Sequence, residues 1–172
     1  MSKHKTSIQW KCDTEDFNIK TYNRDHDVWF ENGNTIPTSA AVAFNGNPEL
    51  NNPEDLFVAS VMSCHMLTFL AVASIKKFTV DLYTDNAEGI LEKDSSGKMV
   101  MNRIILRPQI VFSGSQKPTP EELQSMHEKA HHGCFIANSI NSVVIIEQQW
   151  WTRKKSKWYT CMSFPLSREW QL

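Results

Sequence analysis

The sequence has no marked excess of charge of either sign and few cysteines. Its 172 residues carry a formal net charge of -1, which gives no reason to expect nucleic acid or an anionic membrane as the main partner. Four cysteines in a chain of this size do not make a disulfide scaffold. There is no internal repeat, no low-complexity tract and no CxxC pair, so neither a repeat array nor a zinc site built on paired cysteines is indicated.

The first residues lack a basic segment followed by a short apolar stretch, the pattern of a secretory signal. We therefore expect a cytoplasmic protein, in a compartment where a cysteine pair is more often catalytic or metal-binding than structural. The length suits one domain, since domains most often have roughly 100–150 residues. We expect this domain to cover residues 1–150. Residues 151–172, in which Lys, Arg and Trp alternate without a period, are expected to form a C-terminal tail of unknown role.

One long stretch, residues 56–75, lacks charged side chains. About 20 apolar residues are long enough to span a bilayer, but Ser63, Cys64 and His65 lie at the centre of this stretch, where a lone span tolerates polar groups poorly. A helix buried on most sides at the centre of a protein fits the pattern better.

The start of that helix is well marked. Asn52 can cap it, Pro53 suits the first helical position, and Glu54 and Asp55 favour the positive end of the helix dipole. We predict a helix from residue 53 to about Lys77.

The remaining sequence alternates strand-like and helical segments. Short runs of β-branched and aromatic residues predict strands, and residues 119–122 form a capping box with proline at the first helical position. The element order indicates an α+β fold, with two helical units flanked by sheet. The predicted elements are a hairpin of residues 7–12 and 17–22, a strand at 28–31, two long strands at 78–92 and 98–112 with their turn at 94–97, a helix from 119 to about 133, a short helix from 134 to 140, and a closing strand at 142–150.

The cysteines differ in their surroundings. Cys64 lies in the middle of the apolar helix, where a lone cysteine is usually an inert core residue. Cys134 follows a glycine and opens a short predicted helix, and helix N-termini lower thiol pKa values. For Cys12 and Cys161 we favour a structural interpretation.

A zinc site is a separate possibility. His127 and His131 are four positions apart on one helix face, which is a workable metal spacing, and His132 and Cys134 are close in sequence. Histidines on an amphipathic helix are also commonly just solvated, so both interpretations stay open.

Four segments together resemble the OsmC/Ohr family (osmotically inducible and organic hydroperoxide resistance proteins), in its OsmC-like branch. Residues 52–60, NPEDLFVAS, and 63–66, SCHM, are similar to the family's first-cysteine segment on the central helix. Residues 134–140, CFIANSI, look like its second-cysteine segment, and residues 22–26, YNRDH, resemble the arginine loop of one OsmC-like branch. The resemblance covers about residues 7 to 150.

The resemblance implies a role for four residues. Cys64 matches the peroxidatic cysteine and Cys134 the resolving cysteine. Arg24 matches the arginine that stabilises the thiolate and the peroxide oxygens, and Glu54 the glutamate that holds this arginine. The sequence departs from the family at Phe135, where proline often follows the second cysteine.

The resemblance also implies a fold and an activity. The fold is OsmC-like, with long central helices packed against antiparallel sheets in an intertwined homodimer whose sites lie at the interface. The activity is a thiol-dependent reduction of organic hydroperoxides through a Cys64 sulfenic acid and a Cys64–Cys134 disulfide. It needs no metal, flavin or haem. An external dithiol, of the lipoyl type in this family, regenerates the thiols.

The chemistry of peroxide reduction also requires a cysteine, a nearby cation and a carboxylate. A thiolate cleaves the peroxide bond, whereas a free cysteine, with a pKa of about 8.5, is mostly protonated at neutral pH. Cys64 is too far from the helix start to feel the dipole, so it needs a nearby cation, and arginine stays charged when buried. Glu54 lies roughly 15 Å from Cys64 along the helix axis. If both serve one site, Glu54 should come from a second subunit, which points to a two-fold homodimer.

Apolar side chains around Cys64 suggest a substrate class. A pocket rich in Phe57, Met62, Met66 and Phe69 would favour alkyl or lipid hydroperoxides over hydrogen peroxide, although simple core packing explains any one of them equally well. The alternative function is a non-enzymatic module that binds a hydrophobic small molecule at the dimer interface.

Overall fold

The computed structural model describes residues 1–148, and within them the expected α+β class is confirmed. Strands and helices alternate along the chain, with two short 3-10 turns at Val42–Phe44 and Ala137–Ser139. The elements are β1 Thr6–Gln9, β2 His26–Phe30, β3 Thr35–Thr38, α1 Pro53–Ile75, β4 Thr79–Thr84, β5 Glu88–Lys93, β6 Met99–Leu106, β7 Gln109–Ser113, α2 Pro120–Gly133 and β8 Val143–Ile146.

The strands form three small sheets. One contains β1, β2 and β3, the second pairs β4 with β7, and the third has the order β5-β6-β8. The predicted antiparallel pairing holds for every pair except β6 with β8, which run parallel with Arg103 opposite Val143. The predicted closing strand at 142–150 is thus present as β8, and residues 149 and 150 lie outside the described residues, as does the whole predicted tail.

The predicted N-terminal hairpin is wrong. Strand β1 pairs with β2, with Thr6 opposite Phe30, and residues 17–22 form turns instead of a strand. The amides of Thr21 and Tyr22 both donate to the carbonyl oxygen of Asn18, at 3.0 and 2.9 Å. The aromatic residues that suggested a strand pack together instead, with the Phe17 and Tyr22 rings 5.2 Å apart.

The two predicted long strands are each divided in two. Strands β4 and β5 are separated at residues 85–87, and β6 and β7 at Arg107 and Pro108. A hydrogen bond connects the two breaks: the amide of Arg107 donates to Asp85 Oδ1 at 2.7 Å. Pro108 has no N–H to continue the ladder. The turn at 94–97 is confirmed, with Asp94 accepting from the Ser96 and Lys98 amides.

Helix α1 begins as predicted. The Asn52 side chain accepts from the Asp55 amide at 2.8 Å, and the helix ends at Ile75, two residues before the predicted Lys77. Helix α2 starts with the predicted capping box, in which Thr119 and Glu122 satisfy each other's backbone amides. These caps fix where the helices begin.

Helix α1 contributes to both parts of the hydrophobic core. Phe69 and Ala73 pack with residues of α2, and Val61 packs with residues of β6. Its opposite face is open in the single chain, with Leu67 60% and Ile75 81% exposed. The prediction of a helix buried on most sides therefore holds for one face only.

This helix is also the one segment within residues 1–148 that is long and apolar enough to cross a membrane, with mean hydropathy 2.0. One face of it packs against α2, β4, β5 and β6.

The N-terminal sheet stands apart from this core. Strands β1, β2 and β3 pack closely with one another, whereas the main contacts of α1 are with α2 and the later strands. A parallel bridge between Thr38 and Asn51 joins the sheet to the segment just before α1. The sheet is therefore an arm that leaves the rest of the chain at the start of α1.

Candidate functional site

The two cysteines singled out in the sequence lie next to each other where α1 meets the end of α2. Cys64 is half-buried in the middle of α1, and Cys134 directly follows α2 and is fully buried. Both are free thiols. The 3-10 turn at Ala137–Ser139 packs against both helices. The fold therefore brings together two thiols that are 70 positions apart in sequence.

The surroundings of Cys134 keep it protonated. Burial raises the pKa of the Cys134 thiol, and the neighbouring Cys64 thiol raises it further as a hydrogen-bond partner and as a charge. Backbone amides act in the opposite direction, with Ala137 N donating to Cys134 Sγ at 3.3 Å. Because burial dominates, Cys134 is a thiol held beside Cys64 instead of an activated thiolate. The predicted helix start after Cys134 is only a 3-10 turn.

Arg24 is not brought to Cys64 within one chain. Its guanidinium donates to the carbonyl oxygens of Tyr22, at 2.8 Å, and Ile19, at 2.6 Å, and lies 4.1 Å above the centre of the Tyr22 ring. These contacts hold the arginine in the loop between β1 and β2. It has no ion pair with Glu54 within the described residues.

Glu54 lies at the start of α1, whereas Cys64 lies in the middle of that helix. It is ten residues, or roughly 15 Å along the helix, from Cys64. Its Oε2 atom is buried without a hydrogen-bond partner among residues 1–148. A buried carboxylate oxygen without a partner is costly, so a donor from beyond residues 1–148 would stabilise this atom.

Arg24 shares a cavity with the beginning of α1. The cavity measures about 350 Å³, and Arg24 and Pro53, the neighbour of Glu54, both line it. Its walls are mostly apolar and come from the N-terminal arm. The other lining residues are Ile8, Trp10, Phe17, Tyr22, His26, Ser39 and Ala40.

Three of the four residues expected to line an apolar pocket around Cys64 pack in the hydrophobic core of the single chain. Phe69 is fully buried between α1 and α2, and Phe57 and Met62 pack against the core residues of β6. These side chains are core residues because they face the sheet and the second helix. An apolar cavity lies beside Arg24.

A buried histidine pair near the thiols was missed by the sequence interpretation. His65 Nε2 and His127 Nδ1 are 3.1 Å apart, and the two rings are nearly parallel. Burial lowers the pKa of His65 to about 4, with the charge of His131 contributing, and that of His127 to about 3. Both rings are therefore neutral at physiological pH. The signal was present in the sequence, because the spacing of Leu123, Met126, His127 and Ala130 places His127 on the buried face of α2.

The zinc alternative finds no assembled ligand set. Within the part of the chain that the structure describes, no three His, Cys, Asp or Glu side chains converge on a point that could hold a metal ion. His127 faces His65, whereas His132 is exposed on the other side of the helix end. Cys12 is exposed in the loop between β1 and β2, and Cys161 lies outside the described residues.

Comparison with known proteins identifies relatives of this fold. A family model described as "OsmC-like protein" matches residues 46–148, which include both cysteines and Glu54 and leave Arg24 outside. No curated protein matches.

Solved structures match the chain over most of its length. An OsmC-like protein of unknown function from Vibrio cholerae is 43% identical, with a TM-score of 0.83, over 87% of this chain and 100% of that one. The organic hydroperoxide resistance protein OsmC from Legionella pneumophila is 17% identical, with a TM-score of 0.61, over 86% and 96% of the two chains. The organic hydroperoxide resistance protein OhrB of Bacillus subtilis is 19% identical, with a TM-score of 0.60, over 86% and 98%. The last two matches show a shared fold.

Proposed function

The chain belongs to the OsmC-like protein family, and on this premise we propose that it is a thiol-dependent peroxidase that reduces organic hydroperoxides. The observation that supports this most directly is the adjacent pair of free thiols, Cys64 and Cys134. Cys64 is half-buried and Cys134 is fully buried. This suits a first cysteine, Cys64, that meets the substrate and a second, Cys134, that reacts only with the first.

The proposed reaction has two steps. The Cys64 thiolate attacks the outer oxygen of the hydroperoxide, the O–O bond breaks, and the alkoxide leaves and takes a proton to become an alcohol. Cys64 is then a sulfenic acid. The Cys134 sulfur attacks it, forming the disulfide and releasing water, and an external dithiol reduces the disulfide again.

The site is proposed to be shared between two subunits. Arg24 and the neighbour of Glu54 line one cavity, whereas the thiols lie roughly 15 Å away along α1. Three further observations support a partner chain: the arm formed by β1, β2 and β3, the open face of α1, and the unpaired Glu54 oxygen. In an intertwined homodimer the arm of one subunit would carry Arg24 and its apolar cavity to Cys64 of the other.

The apolar cavity wall supports an organic substrate over hydrogen peroxide. Trp10, Phe17 and Tyr22 contact one another with ring centres 5.2 to 6.2 Å apart, and they leave mostly carbon at the surface beside Arg24. Such a wall binds an alkyl or aryl group through apolar burial, which hydrogen peroxide does not have.

Turnover with a dithiol tests the proposal. We expect the protein to consume cumene hydroperoxide at least about tenfold faster than hydrogen peroxide, because each tenfold needs only about 1.4 kcal/mol of apolar binding. Cys64→Ser should abolish turnover, whereas Cys12→Ser, which changes an exposed thiol of the arm, should leave it unchanged. Full activity of Cys64→Ser would overturn the assignment.

The apolar cavity beside Arg24 also supports a second candidate function, the binding of a hydrophobic small molecule without catalysis. A module that only binds a hydrophobic small molecule would use the aromatic walls and would not need the thiols. Such a binder would retain both thiols after exposure to hydroperoxide, and its affinity for an apolar ligand would be the same in the Cys64→Ser variant.

A further inference from the structure

The end of α2 approaches α1 closely at one point, where Gly133 faces Thr68. A Cβ atom placed on Gly133 would lie 2.9 Å from Thr68 Cγ2, well inside the roughly 3.5–4.0 Å at which carbon atoms pack. We propose that Gly133 is a positioning residue for the Cys64–Cys134 disulfide, because its missing side chain lets Cys134 approach Cys64. The inference rests on the proposed function only in that this disulfide is the second step of the proposed reaction.

Thr68 cannot easily move aside. It is β-branched, so its side chain is stiff at χ1, and its Oγ1 donates to the carbonyl oxygen of Cys64 at 2.8 Å. Rotation of the methyl group away from position 133 would break that hydrogen bond. A side chain at position 133 would therefore move the end of α2 away from α1.

No backbone requirement explains the glycine. The glycines with positive φ are Gly33, Gly97 and Gly114, whereas Gly133 is the last residue of α2 and Cys134 after it is extended. Alanine within a helix is more favourable than glycine. Helix propensity alone would thus favour alanine, and the close contact with Thr68 is what opposes it.

Cys134 would follow any displacement of the helix end. Its amide donates to the carbonyl oxygen of His131 at 3.2 Å, and its sulfur accepts from Ala137 N at 3.3 Å. A disulfide requires Cβ atoms about 3.5–4.5 Å apart and a narrow dihedral range. A shift of less than 1 Å at position 133 is therefore enough to weaken the bond between the two sulfurs.

The experiment measures the equilibrium of this disulfide against reduced and oxidised dithiothreitol in the full-length protein. We expect Gly133→Ala to lower the equilibrium constant about tenfold or more. Thr68→Ser removes Cγ2 and keeps the hydroxyl, so the double variant Gly133→Ala/Thr68→Ser should return to within about threefold of the wild-type value. His132→Ala, on the exposed side of the same turn, is the matched control and should behave as the wild type.

Each outcome decides the inference. A Gly133→Ala protein with the wild-type equilibrium constant would overturn it, as would a double variant that is not rescued. Should Gly133→Ala fail to fold, Thr68→Leu adds bulk to the same contact from α1 and should lower the constant in its place. The equilibrium does not involve a hydroperoxide, so a protein that forms this disulfide but does not turn over would refute the proposed function and leave the positioning role intact.

Discussion

Cys134 is fully buried while Cys64 is half-buried, and the proposed reaction uses this difference. In that proposal the hydroperoxide meets the half-buried sulfur of Cys64 first, and the buried sulfur of Cys134 attacks only after Cys64 has been oxidised. The sequence identified both cysteines through motifs that follow one another along the chain. It could not show that Cys134 is buried, because that depends on the packing of α2 and the 3-10 turn against α1.

The raised pKa of Cys134 predicts the pH dependence of the second step. A thiol whose pKa lies above the usual value of about 8.5 supplies little thiolate at neutral pH, and more as the pH rises. In single-turnover experiments we expect the rate of disulfide formation to keep rising from pH 7 to beyond pH 8.5. The sulfenic acid of Cys64 can be trapped chemically to follow this step. A rate that levels off below pH 8 would contradict the burial of Cys134.

At the level of elements, the packing of α1 on α2 encloses the pair of neutral histidines. The caps that start both helices could be predicted from local sequence, because each involves residues at most three positions apart. The contact between His65 and His127 spans 62 positions, and the pairing of β1 with β2 was missed for a related reason. The local aromatic pattern of residues 17–22 fits a strand, whereas the ladder partner lies further along the chain.

The histidine pair predicts a loss of stability in acid. The folded state holds the pKa of His65 near 4 and that of His127 near 3, below the ordinary value of 6.5. Between pH 6.5 and 4 the unfolded state therefore binds more protons, so the free energy of unfolding falls as the pH is lowered. We expect a loss on the order of 3 kcal/mol over this range for one such histidine. Phe69, the ring neighbour of His127, carries no charge, whereas the charge of His131 adds to the lowering of the His65 pKa.

Chemical denaturation at several pH values measures this effect. The double variant His65→Phe/His127→Phe keeps two aromatic rings and removes both titrating groups. Its unfolding free energy should fall less between pH 6.5 and 4.5, whereas His132→Gln, which changes an exposed histidine, should keep the wild-type slope. The same slope in all three proteins would show that the pair does not control acid stability.

At the scale of the whole molecule, the arm formed by β1, β2 and β3 makes few contacts with the rest of the single chain. Apolar side chains are exposed on the arm, such as Phe17 at 75% and Ile19 at 72%, and on the open face of α1. The sequence led to a shared site through the distance between Glu54 and Cys64 on one helix. It did not show that Arg24 lies beside Pro53 at the start of α1 instead of beside Cys64, because the path of the loop between β1 and β2 depends on its tertiary packing.

Mixed dimers test the shared site. Cys64→Ser and Arg24→Ala each remove one part of it, and loss of the arginine should lower activity on the order of a hundredfold. When the two variants are co-expressed with different tags, dimers containing one chain of each should recover about half of the wild-type activity, since one site regains both residues. Dimers of wild type with the double variant should be nearly inactive. The reverse pattern would place Arg24 and Cys64 in one chain.

The bond between Cys64 and Cys134 is the central element of this account, and it can be observed directly. The reduced protein is treated with one equivalent of cumene hydroperoxide, free thiols are alkylated, and the peptides are mapped by mass spectrometry. We predict the loss of two thiols per chain and a single new disulfide that joins Cys64 to Cys134. Thiols that all remain free, or a disulfide that involves Cys12 instead, would contradict it.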